Sequence, residues 1–432
     1  MAIFDSSALN PGVRPREVLS WAGYDFANSG YTTVVLTAVF NAYFVSVVAN
    51  GADWGTLAWT VTLAVSNAGV MLTMPIIGAY ADLRARKQWL LRISTIGCVL
   101  STAALALAGR GDVAIAVAAI VVSNFFFQIG VSLIGAFLPE IARPAALGKV
   151  SGWGWSFGYL GGLVTLAVCL AYVTWARGQG GVAEEFVPGT MLITAGIFAL
   201  AALPTLFILR ERAVPQRQGS VDVVRGAVLR LASTLKHIGN FRDFARLLLC
   251  STFYQAGVAV VIALAAIYAQ EVMKFSFEQT LQLVLIVNIT AAIGAFAFGY
   301  VQDRLGHKKA LALTLLLWIA MTAVASTATT SAMFWVSANL AGLAMGSSQS
   351  AGRAMVGVFA PPTRLAEFYG LWTLSVQVAA IVGPLTYGAV VYLTDNNHRL
   401  GMMITGGFFV IGLLLIASID IDRGRRAAAT GA

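Results

Sequence analysis

The chain has 432 residues, of which 58% are hydrophobic and 11% charged, against roughly 25% charged for a soluble domain. Its mean hydropathy of +0.80 excludes an ordinary soluble fold. The net charge of +9 needs no nucleic-acid partner, because the basic residues flank apolar runs, where an anionic leaflet would meet them.

A bilayer core of about 30 Å takes about 20 apolar residues per helix. Runs of that size lie near 20–48, 57–80, 90–108, 113–137, 151–174 and 189–209. A second set follows near 244–269, 280–301, 310–328, 331–352, 368–393 and 401–419. Of the 28 Lys and Arg residues, all but Arg110, Arg177, Lys274 and Arg399 fall in, or at the edge of, one alternating set of gaps. Cytoplasmic loops are enriched in basic residues, so this bias predicts twelve spans with both termini in the cytoplasm. The runs are too long and continuous for β-barrel strands. No small-residue cleavage site precedes the first long run, which is read as a retained span rather than a signal peptide.

The first run carries Trp21, Tyr24, Asp25, Asn28 and Tyr31. Ionisable groups at membrane depth are costly and default to functional hypotheses. Asp25, about one and a half turns into its run, and Arg353, eight residues before Pro361, are the two that fit no loop. They can meet across the mouth of a cavity as a gate or as a protonatable carboxylate with its partner. Local helix entry by Asp25 and snorkelling by Arg353 stand as the alternative.

The loop after the second run reads Gly78-Ala-Tyr-Ala-Asp82-Leu-Arg-Ala-Arg86-Lys87. In the fourth run Asn124 and Gln128 share one helix face. In the fifth, Gly154, Gly158 and Gly162 form a small-residue stripe for close helix approach, with Trp153 and Trp155 expected as interfacial anchors. Gly383-Pro384 and Gly388 are its counterpart, and these glycines are expected at a rocking interface.

The longest polar gap, 210–243, separates an N-terminal half, 1–209, from a C-terminal half, 244–432. Within it Val221, Val224, Val228, Leu231, Leu235 and Ile238 recur at helical spacing, with Arg225, Arg230 and Lys236 on the other faces. An amphipathic helix is expected, either along the cytoplasmic membrane surface or packed beneath the bundle.

The second half repeats the first. Gly78, Asp82, Arg86 and Lys87 recur 221 residues later as Gly299, Asp303, His307 and Lys308, and Gln128 and Gly162 as Gln349 and Gly383. Several pairs at one offset indicate a duplicated unit. Two six-helix halves around a midplane cavity are a transporter architecture.

The two loops resemble the G-x-x-x-D-R-x-G-R-[RK] pattern of the major facilitator superfamily. The second, with Asp303, Arg304 and Gly306, is the fuller match; Leu83 and Ala85 in the first predict a looser turn. The first run, Phe137-Leu-Pro139-Glu140, Ser151-Gly152-Trp153-Gly154-Trp155 and Glu367-Phe-Tyr-Gly370-Leu-Trp372 are similar to the vacuole-effluxer-like ("unknown major facilitator") branch. The resemblance implies an all-α integral membrane protein of twelve helices in two pseudo-symmetric halves. It further implies that Asp82 meets the start of the eleventh span and Asp303 the start of the fifth, closing the cytoplasmic side. Spans one, four, seven and ten would line the cavity with Tyr24, Asp25, Asn28, Tyr31, Asn124, Gln128, Tyr254, Gln255, Tyr268, Gln349 and Arg353. Ala256 stands where the resemblance places an Asp, so no cation role is carried over there.

The expected function is secondary transport of a small polar solute, with amino acids as leading candidates, across a bacterial-type inner membrane. A proton or cation is the expected coupling partner, and a monomer the expected state. A membrane sensor or scaffold acting through 210–243 is the alternative. His237, His307 and His398 are expected in loops and cluster with no Cys, and Cys98, Cys169 and Cys250 lie singly in apolar runs. No metal site, cofactor, nucleotide-binding loop or hydrolase motif is therefore expected.

Overall fold

The computed structural model describes residues 4–216, 223–236 and 238–430. These form helices and loops, with one isolated bridge between Leu9 and Ala142. Span one runs Pro15–Val48, span two Gly55–Arg84, span three Lys87–Ala104, span four Val113–Gly135, span five Leu147–Gly178 and span six Ala183–Ile208. A linker helix, Val223–Lys236, follows. Span seven is Arg242–Glu271, span eight Phe277–Leu305, span nine His307–Thr327, span ten Ser331–Phe359, span eleven Leu365–Leu393 and span twelve His398–Ala417. A tail helix, Ile421–Thr430, closes the chain.

Span one begins earlier than the apolar run because Pro15 suits a first helical position and the Glu17 carboxylate accepts the Arg14 N–H at 3.2 Å. Asp25 therefore lies nearly three turns inside the helix, which removes the helix-entry reading. Farther along, the helix widens to π-type turns at Thr32–Ala38 and Phe44–Val48.

Eleven of the described helices are long and apolar enough to cross a membrane by composition alone. Span ten is the exception, though it has 29 residues. It carries Ser347, Ser348, Gln349, Ser350 and Arg353, and every residue from 350 to 356 is buried. A helix sheathed by other helices can stay polar without meeting lipid.

The packing repeats between halves. Spans one–five, one–six, two–four and three–four pack together, and so do their equivalents seven–eleven, seven–twelve, eight–ten and nine–ten. The halves meet where span two lies along eleven and span five along eight. A Cβ at Gly78 would overlap the Ala366 carbonyl, and one at Gly152 the Ala295 carbonyl. Bare backbones there let the helices touch. Gly154, Gly158 and Gly162 instead face Asp25, Ser29 and Thr33 of span one, and Gly383 faces Ala256 of span seven. That stripe and its counterpart join helices within each half, with only Gly154 also touching Arg353. This corrects the rocking-interface expectation.

The short loop between spans two and three turns through Ala85, which takes the left-handed conformation (φ 50°, ψ 56°) that Gly takes more cheaply. Two residues, Ala85 and Arg86, join these helices, whereas Gly306 alone joins spans eight and nine, so the first turn is the looser of the two. The end of the bundle holding this loop, the loops near 142, 306 and 362, and the tail helix is called the basic end below.

Candidate functional site

At the basic end, two carboxylates cross between halves. Asp82, 4% exposed at the end of span two, accepts the Ala366 N–H at 3.1 Å and the Glu367 N–H at 2.9 Å. Asp303, half-buried at the end of span eight, accepts the Gly148 N–H at 2.9 Å and the Lys149 N–H at 3.0 Å. Both therefore sit on first-turn amides of the opposite half, which have no partner within their own helix. Charge-assisted bonds of this kind are worth about 1.5–3 kcal/mol each.

Between these latches lies the membrane-depth ion pair. Arg353 Nη1 donates to Asp25 Oδ2 at 2.6 Å, joining span ten to span one. Its Nε donates to Ser151 Oγ at 3.1 Å and its Nη2 to the Ser151 carbonyl at 2.8 Å. The guanidinium lies 4.6 Å from the Trp21 ring centroid and 5.3 Å from that of Trp155. Arg353 is 4% exposed and Asp25 8%, so Arg353 does not snorkel. The buried pair, with two further guanidinium bonds to Ser151, joins the halves at this end, whereas either partner alone would be strongly destabilising. Gly154 leaves the room: a Cβ there would press on Asp25, Trp21 and Arg353.

The other singled-out residues divide. Gln255 and Gln349 pair amide to amide between spans seven and ten at 3.0 Å. Asn124 Nδ2 donates to Ser66 Oγ and Asn67 Oδ1, both at 3.0 Å, and Gln128 is partly exposed beside it. Asn28 Oδ1, Asn124 Oδ1, the Tyr254 hydroxyl and the Trp372 indole N–H are buried without a partner among the described residues. The four tyrosines are buried, each against its own half. Tyr24 bonds Thr95 at 3.1 Å, Tyr31 bonds Ser123 at 2.8 Å, and the Tyr268 hydroxyl donates to the Ala325 carbonyl at 2.7 Å. Tyr254 is wedged against Gly352.

Of the loop residues, Lys87 is fully buried on Glu140. Lys308 Nζ donates to the Ala417 and Ile419 carbonyls at 2.7 and 2.8 Å, while Arg86 and Arg304 are exposed. His307 is buried as the first residue of span nine, its Nδ1 accepting from Gln302 at 2.9 Å. Trp153 is no lipid anchor: it is 3% exposed and its indole donates to Tyr300 Oη of the opposite half at 3.2 Å. The polar gap begins with Glu211, whose carboxylate accepts the Lys87 and Gln88 N–H groups. Burial pushes that carboxyl above its usual value.

The linker helix packs beneath the bundle. Among the described residues Gly226, Ala227 and Thr234 are buried and Arg230 is mostly covered, while Val228 and Leu229 are exposed. Of the expected apolar stripe, Leu231 packs against the core and Val228 is exposed. Val221 and His237 lie outside the described residues, as do the side chains of Val224, Arg225 and Leu235. Ser151, Glu140 and Glu367 appear in the sequence as motif residues, but no spacing rule pairs them with Arg353, Lys87 or the linker helix.

A family model for vacuole effluxer Atg22-like proteins matches residues 58–429. The chain belongs to that family. The MFS-type transporter YxiO of Bacillus subtilis is 25% identical over 405 residues, covering 93% of this chain and 94% of that one. Autophagy-related protein 22 of Candida glabrata is 22% identical over 317 residues, 65% of this chain and 56% of that protein. Among solved structures, the human organic anion transporter MFSD10 superposes with a TM-score of 0.69 at 16% identity, over 93% of this chain and 99% of that one. The proton:xylose symporter XylE superposes with 0.68 at 15%, over 92% and 94%. The fold is that of the major facilitator superfamily, and this Atg22-like chain is a multi-pass membrane transporter.

Proposed function

We propose that this Atg22-like chain is a secondary transporter that carries a small zwitterionic or neutral polar solute, of the amino-acid class, by alternating access. The buried Asp25–Arg353 pair carries the reading, because it joins the halves at one end, and buried polar groups on spans one, four, seven and eleven stand without partners among the described residues. The basic end is the cytoplasmic face of a bacterial-type inner membrane, with both termini on that side. Support for that orientation is the concentration of Lys and Arg there. The bare acceptors Asn28 Oδ1 and Asn124 Oδ1 suit an ammonium group, and the bare donors Tyr254 Oη and Trp372 Nε1 suit a carboxylate.

Protonating Asp25 would weaken its hold on Arg353 and free the mouth to open, which couples the cycle to a proton. The test is flux of a mixed amino-acid pool in proteoliposomes with and without a pH gradient. Wild type should respond to the gradient, and Asp25→Asn should lose that response. An Asp25→Asn protein that transports at the wild-type rate and still follows the gradient ends the coupling role.

A further inference from the structure

We infer that the linker helix is a third lock across the halves, and that Arg230 and Thr234 set how long the basic end stays closed. The inference rests on the alternating-access reading above. Its centre is Glu367, which is 0% exposed. The Glu367 N–H is held by Asp82 of span two at 2.9 Å. Its carboxylate is held from the other side: Arg230 Nε donates to Oε2 at 2.9 Å, and Thr234 Oγ1 donates to Oε1 at 2.5 Å. A buried carboxylate needs such donors, and their removal leaves it unpaired.

The same arginine ties more of the seam. Its Nη1 donates to Gln216 Oε1 at 2.7 Å and its Nη2 to the Thr363 carbonyl at 2.8 Å. Gln216 in turn donates its backbone N–H to the Leu83 carbonyl at 3.0 Å and its side-chain amide to Thr363 at 2.8 Å. Meanwhile Ala227, fully buried, seats the helix on Ala79 and Leu83 of span two. The linker helix therefore rests on the N-terminal half and grips the C-terminal half at Thr363, Arg364 and Glu367. Span eleven cannot leave span two without stripping one of these two seams. The linker is thus a working part of the gate, and changes at its polar face alter the balance of states without touching solute.

The test reads how often the basic end opens. Cys98, Cys169 and Cys250 are replaced by Ala, and Ser350→Cys is introduced. Ser350 is 1% exposed, lies about one turn before Arg353 on span ten with its carbonyl accepting from Ser151 Oγ at 2.9 Å, and its hydroxyl has no partner among the described residues. Inside-out vesicles are treated with a membrane-impermeant maleimide, which reaches this position only through the basic end. Arg230→Ala is expected to raise the labelling rate about tenfold, the scale of one lost charge-assisted hydrogen bond. Thr234→Val, nearly isosteric, should raise it by a smaller factor, which keeps the test open should Arg230→Ala fold poorly. Asp82→Asn is the reference that must also raise it. Faster labelling in Asp82→Asn with wild-type labelling in both linker variants overturns the inference alone. Unchanged labelling in all three overturns the alternating-access reading with it.

Discussion

The two latches share a chemistry and differ in what surrounds it. Asp82 and Asp303 stand 221 residues apart, and each accepts two amide N–H groups from the first turn of a helix in the other half. Around Asp82 the reinforcement is ionic and buried, through Glu367, Arg230 and Thr234. Around Asp303 it is aromatic and partly exposed. Lys149 lies 5.3 Å from the Tyr300 ring, Trp153 donates to the Tyr300 hydroxyl, and Asp5 approaches Lys149 at 3.7 Å. The linker is single, so only one of the two duplicated seams can be covered by it. A duplicated fold can therefore hold a near-symmetric closure with unequal strengths, and the weaker side should yield first.

The largest effect should come from what both latches flank. Arg353→Ala leaves Asp25 buried and alone, a loss of about 3–5 kcal/mol, seen as a large fall in melting temperature and no net flux. A variant that keeps wild-type stability would mean the pair is not buried as described.

Next come the latches themselves. Asp82→Ala should destabilise the closed state by about 2–4 kcal/mol, from two lost charge-assisted bonds in a buried site. Asp303→Ala should cost about half of that, because water already reaches it. Rates of Ser350→Cys labelling from the basic side rank the two. Equal rates would erase the difference drawn between the seams.

The smallest effect is in the loop beside Asp82. Ala85→Gly relieves a left-handed residue and should stabilise the protein by about 1 kcal/mol, raising the melting temperature without changing flux. A lower melting temperature would mean that Ala85 is not strained.

The architecture was legible because a bilayer imposes its length and charge rules on every span. Even span ten, the most polar of the twelve, showed as the run near 331–352. The latch aspartates were legible because their loop pattern occurs twice. The partners of Tyr24, Tyr31 and Tyr268 were not, since a ring with one hydroxyl suits a cavity wall and a helix seam equally, and nothing in the spacing points to Thr95, Ser123 or the Ala325 carbonyl. The linker's polar contacts were hidden for a related reason. Its valines and leucines show helical spacing, but the face that docks is chosen by the buried charge of Glu367, more than 130 residues away in sequence. Contacts between distant segments leave no period to read.

The most direct test measures the distance across the basic end, by spin labels on Arg84→Cys and Arg304→Cys, both exposed on opposite halves. The account predicts two populations, a short distance matching the closed form and a longer one that gains weight when Asp82 or Arg353 is removed. A single short distance that neither substitution alters would contradict it.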